Sequence, residues 1–172
     1  MDRCFPKVTL GLFGPTGVGK STVARVLGDR FSLPVRHCSQ ALRERAASLG
    51  LELSDVPKAV HDEIDEETRC VARSVIGGLV IEGRFLDKVL YGIDNIILVR
   101  LTCLQEMRRS RILERTGVQS LEAEDRRDEE LRGMLYSYQR QDYAPTIVID
   151  TSAISPEEVA TEIAARAIDR VR

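Results

Sequence analysis

The stretch GPTGVGKST, Gly14 to Thr22, constrains this chain more than any other. It follows a short, continuously apolar run, KVTLGLFG (Lys7–Gly14), and opens the amphipathic run KSTVARVLGDRF (Lys20–Phe31). In the second run Val23, Val26, Leu27 and Phe31 recur at helical spacing. A buried strand, a glycine-rich turn and a helix, in that order, are the context of a phosphate-binding P-loop. Glycines let backbone N–H groups wrap a phosphate, and the helix N-terminus adds its positive end. Gly14, Thr16, Gly17, Val18, Gly19, Lys20, Ser21 and Thr22 are therefore expected to hold the phosphates of a nucleotide. Lys20 would neutralise β- and γ-oxygens, and the Ser21 hydroxyl is placed to ligand Mg²⁺. The loop tells that a polyphosphate is held, but not where its phosphate goes.

Further apolar runs alternate with amphipathic ones. LPVRHCS (33–39), GLVIEG (78–83), NIILVRLT (95–102) and TIVIDTS (146–152) read as strands. Residues 39–75 read as helical with breaks near Gly50 and Pro57, and 105–141 as a strongly charged helical region. SPEEVATEIAARAI (155–168) opens with Ser as N-cap and Pro at the first position, a helix start. Strands alternating with helices imply an α/β fold, a parallel sheet covered on both faces.

With 172 residues and 43% hydrophobic composition, a single domain over 1–172 can bury a real core. The net charge of −2 gives no general pull toward nucleic acid or membrane, so any basic function must be local. Cys4, Cys38, Cys70 and Cys103 form no CxxC pair, which suits reduced thiols in a cytoplasmic protein better than a zinc site or disulfide scaffold. The first residues carry no leader-like apolar segment, and no run reaches membrane-spanning length.

Glu82 ends the buried run Leu79–Ile81, where a P-loop protein places its second acidic residue. There it either holds Mg²⁺ through water beside Ser21 or is a solvated strand end. Arg84 follows and would face the same crevice. In RRSRILERTG (108–117), Arg111 and Arg115 lie one turn apart on a helical face, with Arg108 one turn earlier. Like charges so stacked repel unless an anion or acidic partner lies between them. Arg126, Arg127 and Arg132 follow among carboxylates. A solvated helical hairpin accounts for most of these charges, and a phosphate-facing role suits Arg111 with Arg115.

These residues together resemble cytidylate kinases, especially their short archaeal-type form, and more loosely the nucleoside monophosphate kinases. The resemblance rests on GPTGVGKST, SQALRERA, HDEID, VIEGR, RILER, DRRDEELR and VIDTSAISPEEV. It implies a P-loop NTPase fold with strand order 2-3-1-4-5, an acceptor-binding segment over about 36–75 and a lid over about 111–132. It places Arg111 against the donor adenine and Arg115 on the transferring phosphate. Arg43 and Arg84 match the arginines that grip the acceptor phosphate, and Ser39, Asp65, Arg126 and Arg132 fall among acceptor-binding positions. Gln40 stands where the family has glycine and Leu42 where it has an aromatic, and both changes touch the acceptor pocket. Asp65 either contacts the acceptor nucleoside or pairs with Arg69 one turn on; the pairing is the reading preferred here.

A phosphate acceptor also follows from chemistry. A kinase of alcohols benefits from a carboxylate base near the hydroxyl, and several place it just after the second strand. This chain has Arg36-His37-Cys38-Ser39 there, then Arg43. A nucleoside monophosphate is largely ionised at neutral pH and needs positive charge rather than a base. Three activities compete. The first is transfer of the γ-phosphoryl of ATP–Mg²⁺ to a nucleoside monophosphate, CMP first, with dCMP or UMP as further acceptors. The second is phosphorylation of a small-molecule hydroxyl, with His37 or Glu82 as base. The third is a non-catalytic nucleotide switch, which the lack of an NKxD-type guanine motif disfavours. The expected partners are small nucleotides rather than nucleic acid or membrane, with the chain a monomer or weak dimer.

Overall fold

The computed structural model describes residues 5, 7–117, 121–136 and 147–171. Strands β1 (Thr9–Phe13), β2 (Val35–His37), β3 (Leu79–Glu82), β4 (Ile96–Thr102) and β5 (Ile147–Asp150) form one sheet in the order β2-β3-β1-β4-β5. All four pairings are parallel, so the α/β P-loop fold with order 2-3-1-4-5 is borne out. Strand β2 is shorter than the sequence implies, because helix α2 (Cys38–Ser48) starts immediately after His37.

The apolar runs are continuous because helices cover both faces of the sheet. Leu10 and Leu12 of β1 face one side with Val80, Val99 and Leu101. There they pack on α1 (Lys20–Phe31) and on α7 (Pro156–Val171) through Leu27, Ala160 and Ile163. Phe13, Ile81 and Leu98 face the other side. They pack against α3 (Lys58–Ser74), α4 (Leu86–Val89) and α6 (Leu121–Tyr136). The helix start read at Ser155 is a reciprocal capping box. The Ser155 N–H donates to Glu158 Oε2 at 2.7 Å, and the Glu158 N–H donates to Ser155 Oγ at 3.2 Å.

The charged region resolves into α5 (Gln105–Thr116) and α6; residues 137–141, and Thr146 before β5, lie outside the described residues. Part of its charge pairs across the two helices, Arg109–Glu122 at 2.7 Å and Arg108–Asp125 at 2.5 Å. The inner stripe of α6 is mixed in character: Leu121, Asp125, Asp128, Arg132 and Leu135 follow one another at spacings of three and four. Register then positions the site. Leu12 pairs with Glu82 on one side and with Val99 on the other, so the loop leaving β1 emerges beside Glu82.

Candidate active site

The phosphate loop is shaped by what its glycines permit. Gly14 has φ +140, and a Cβ there would stand 2.3 Å from the Leu101 carbonyl oxygen, so no larger residue fits. Gly19 caps α1 at φ +91 with nothing within 4 Å of where a side chain would be. Helix α1 thus opens on the cleft with no acidic residue in its first turn and no capping side chain, leaving N–H groups for an anion.

Two distant residues brace the loop backbone. Arg108 Nε donates to the Thr16 carbonyl at 2.9 Å, and Thr151 Oγ1 lies 3.0 Å from the Val18 carbonyl. Arg111 in turn donates to the Thr151 carbonyl at 2.8 Å and to its hydroxyl at 3.1 Å. Neither Arg108 nor Thr151 was among the expected site residues. A basic residue in a charged run carries no local mark of a backbone partner 92 residues away.

Lys20 folds back on its own loop, donating from Nζ to the Gly14 and Pro15 carbonyls at 2.8 Å each. Burial pulls its pKa down to about 8, an effect that the nearby Glu82 carboxylate partly offsets. Glu82 is not a solvated strand end: it is only 3% exposed, and His37 Nδ1 lies 3.1 Å from its Oε1. Lys20, Ser21 and Glu82 line one cleft of about 990 Å³, together with Thr16, Gly17, Val18, Gly19, Thr22, Arg111 and Arg115. The oxygens of Ser21 and Glu82 are hard donors of the kind Mg²⁺ takes, so these residues fit that ion.

A second cavity of about 180 Å³ adjoins the first, and Ser39, Arg43 and Arg84 line both. Arg43 is exposed, with no hydrogen bond or ion pair among the described residues. Arg84 Nη1 donates to Asp128 Oδ1 at 2.6 Å. Leu42 and Asp65 also line the small cavity, whereas Gln40 lines the large one and donates to Glu44.

The preferred Asp65–Arg69 pairing is not formed. Arg69 donates to the Val89 and Tyr91 carbonyls, and Asp65 instead accepts from the Tyr136 hydroxyl at 2.6 Å. Burial raises the Asp65 pKa to about 6, although the hydrogen bond from Tyr136 works the other way. The arginines of α6 divide. Arg127, not Arg126, lines the small cavity, and Arg126 sits on a neighbouring one. Arg132 pairs with the buried Asp87 and stacks over Phe85, 5.8 Å from the ring centre. It thereby ties α6 to α4.

A loop, a sheet and a cleft of this kind define a P-loop enzyme of the kinase class. The chain belongs to the family described as an AAA domain, whose model matches residues 10–132. It is 29% identical over 173 residues to a cytidylate kinase of Methanopyrus kandleri, covering 88% of this chain and 87% of that one. It is likewise 29% identical to a cytidylate kinase of Sulfurisphaera tokodaii over 165 residues, covering 88% and 91%. The resemblance read from the motifs is borne out by these relatives. Among solved structures, a gluconokinase from Sinorhizobium meliloti superposes with TM-score 0.68 at 18% identity, covering 98% of this chain and 95% of that one. A shikimate kinase from Acinetobacter baumannii, in complex with shikimate, gives 0.65 at 17%, covering 95% and 94%. At such identities the likeness is one of fold.

Proposed function

We propose that the chain is a nucleoside monophosphate kinase that moves the γ-phosphoryl of ATP to a pyrimidine monophosphate, CMP before dCMP or UMP. The observation that carries this reading is the junction of the two cavities, where Arg43 and Arg84 line both walls. Two anions must meet there, and two guanidinium groups are what their meeting requires. The archaeal cytidylate kinases to which the chain is similar support the choice of acceptor. Among the described residues no helix is long and apolar enough to cross a membrane.

In this mechanism the polyphosphate takes Lys20 from the Gly14 and Pro15 carbonyls. Arg111 holds the adenine side of the cleft, and Arg115 faces the transferring group. Arg43 and Arg84 aim the acceptor phosphate, whose oxygen forms a new bond to the γ-phosphorus as the bond to the β-bridging oxygen breaks. ADP leaves, and no base is needed because the attacking oxygen is already ionised. Ser21 and Glu82 would hold Mg²⁺, which when bound neutralises charge on the β- and γ-oxygens. The small cavity, with Asp65 and Leu42 on its walls, takes the acceptor base.

One observation favours a second reading. The His37–Glu82 contact opens on the large cleft, and a histidine backed by a carboxylate suits removal of a proton from a hydroxyl. A coupled ADP-release assay across the nucleoside monophosphates, free nucleosides and small sugar acids separates the two. Turnover with CMP and not with cytidine is expected; turnover with neutral or hydroxyl acceptors alone would replace the first reading by the second.

A further inference from the structure

Arg84 already holds an anion. Its partner Asp128 is 14% exposed against 32% for the arginine, so the pair is partly withdrawn from water. Asp128 comes from the inner stripe of α6, three residues after the partner of Arg108 and four before the partner of Asp87. The two flanking pairs brace the loop and α4 and involve no wall of the small cavity through their arginines. The middle pair is different, because its arginine lines both cavities. The Asp128 carboxylate also lies close enough to Lys20 to bear on its charge. It is therefore bonded to one cation that a phosphate would use and acts through space on a second.

We propose that Asp128 is a specificity-determining residue, a carboxylate that occupies Arg84 until a phosphate-bearing acceptor replaces it. The proposal rests on the phosphate-acceptor reading of the site. A carboxylate carries one negative charge, whereas a phosphate monoester carries about −1.5 to −2 and offers three acceptor oxygens. A guanidinium that loses Asp128 to such a group keeps an anion throughout. An alcohol in the same place would have to push the carboxylate aside and leave Arg84 with none, which is a penalty against the wrong partner. Selection thus works by anion exchange, and an acceptor lacking the phosphate fails at that step.

The test is titration of CMP in the absence of ATP, with acceptor and donor KM, for wild type, Asp128→Asn, Asp128→Ser, Arg84→Ala and both Asp128 substitutions combined with Arg84→Ala. Both Asp128 variants should tighten CMP binding about fivefold, the upper worth of such an ion pair. Acceptor KM should fall with them while donor KM stays put, and cytidine, which brings no phosphate to Arg84, should gain no more than CMP. In an Arg84→Ala background the gain should vanish. If folded Asp128 variants bind CMP no better, or worse, the proposal is overturned, since Asp128 is then a brace or an acceptor contact itself. If the wild type neither binds nor phosphorylates any nucleoside monophosphate, the underlying reading fails instead, and that result appears without any variant.

Discussion

Arg108 and Thr16 are 92 residues apart in sequence, yet the Nε of one donates to the carbonyl of the other at 2.9 Å. The phosphate loop is therefore framed by the α5–α6 hairpin as well as by its own strand and helix. The remaining guanidinium nitrogens donate to Asp125 at 2.5 and 3.2 Å, so the buried arginine has its charge matched.

Replacing Arg108 by alanine should cost stability and donor binding together. It leaves the Thr16 carbonyl without its donor and Asp125 without its cation, a loss of about 2–3 kcal/mol. For a chain of this size that lowers the melting temperature by roughly 4–12 °C. ATP affinity should drop because the loop is no longer held, while CMP affinity changes little. Thermal melts and separate titrations of the two nucleotides check this. A variant that melts like wild type would show that the contact braces nothing.

Lys20 gives a pH signature. Its pKa is lowered to about 8 by burial, against 10.5 in the unfolded chain. Between those values the unfolded chain holds more protons, so the Lys20 contribution to stability rises with pH across that window. A bound polyphosphate restores the charged form. ATP binding should thus take up protons near about pH 8.5 and almost none near about pH 6, where Lys20 is already charged. Calorimetry in two buffers of different ionisation enthalpy measures the uptake. Lys20→Ala should abolish it and lower kcat by about 10²–10³-fold; uptake that survives the substitution would assign it elsewhere.

What could be read from the sequence was local. Gly14–Thr22, Glu82 and Arg84 declare themselves because strand end, loop and helix start follow one another within a few residues. The ties of Arg108 to Thr16 and of Thr151 to Val18 do not, since each spans most of the chain. Helix α6 shows why charge misleads. Asp125, Asp128 and Arg132 read as solvated by composition, although their spacing with Leu121 and Leu135 marks one inner stripe. A half-buried stripe of charge needs partners from other elements, here Arg108, Arg84 and Asp87. Asp65 makes the same point. A neighbour one turn away, Arg69, loses to Tyr136 because Arg69 is engaged by the carbonyls of Val89, which ends α4, and of Tyr91.

Asp65 should trade stability for function. Its pKa is raised to about 6 by burial, from 3.8, so the folded chain holds the extra proton between those values. Stability contributed by this group falls as pH rises through that window, and the full cost is present above about 6. Asp65→Asn removes an ionised buried group and should stabilise the fold by about 1–3 kcal/mol near neutral pH. The gain should shrink toward nothing near about pH 4, where the native side chain is already neutral. Urea melts at both pH values measure it, and an equal gain at both would contradict a burial origin. Acceptor KM should rise in the same variant if Asp65 meets the base.

The last expectation separates two arginines one turn apart. Arg111 is fixed, with hydrogen bonds to both the carbonyl and hydroxyl of Thr151 and a contact of 3.4 Å to Cys103 Sγ. Arg115 lines the same cleft but is exposed and without a partner among the described residues. A fixed guanidinium plane suits stacking on a ring, and a free one suits a charge that appears only during transfer. Arg111→Ala should raise donor KM through the loss of about 1–2 kcal/mol of stacking and cation–π contact, with kcat nearly kept. Arg111→Lys should restore little, because an ammonium has neither the plane nor the fork. Arg115→Ala should lower kcat about 10²-fold and leave donor KM alone if its charge acts on the transferring group as proposed. Steady-state kinetics with ATP varied at saturating CMP reads both. Small, equal rises in donor KM from the two substitutions would instead make Arg115 a solvated residue of the hairpin.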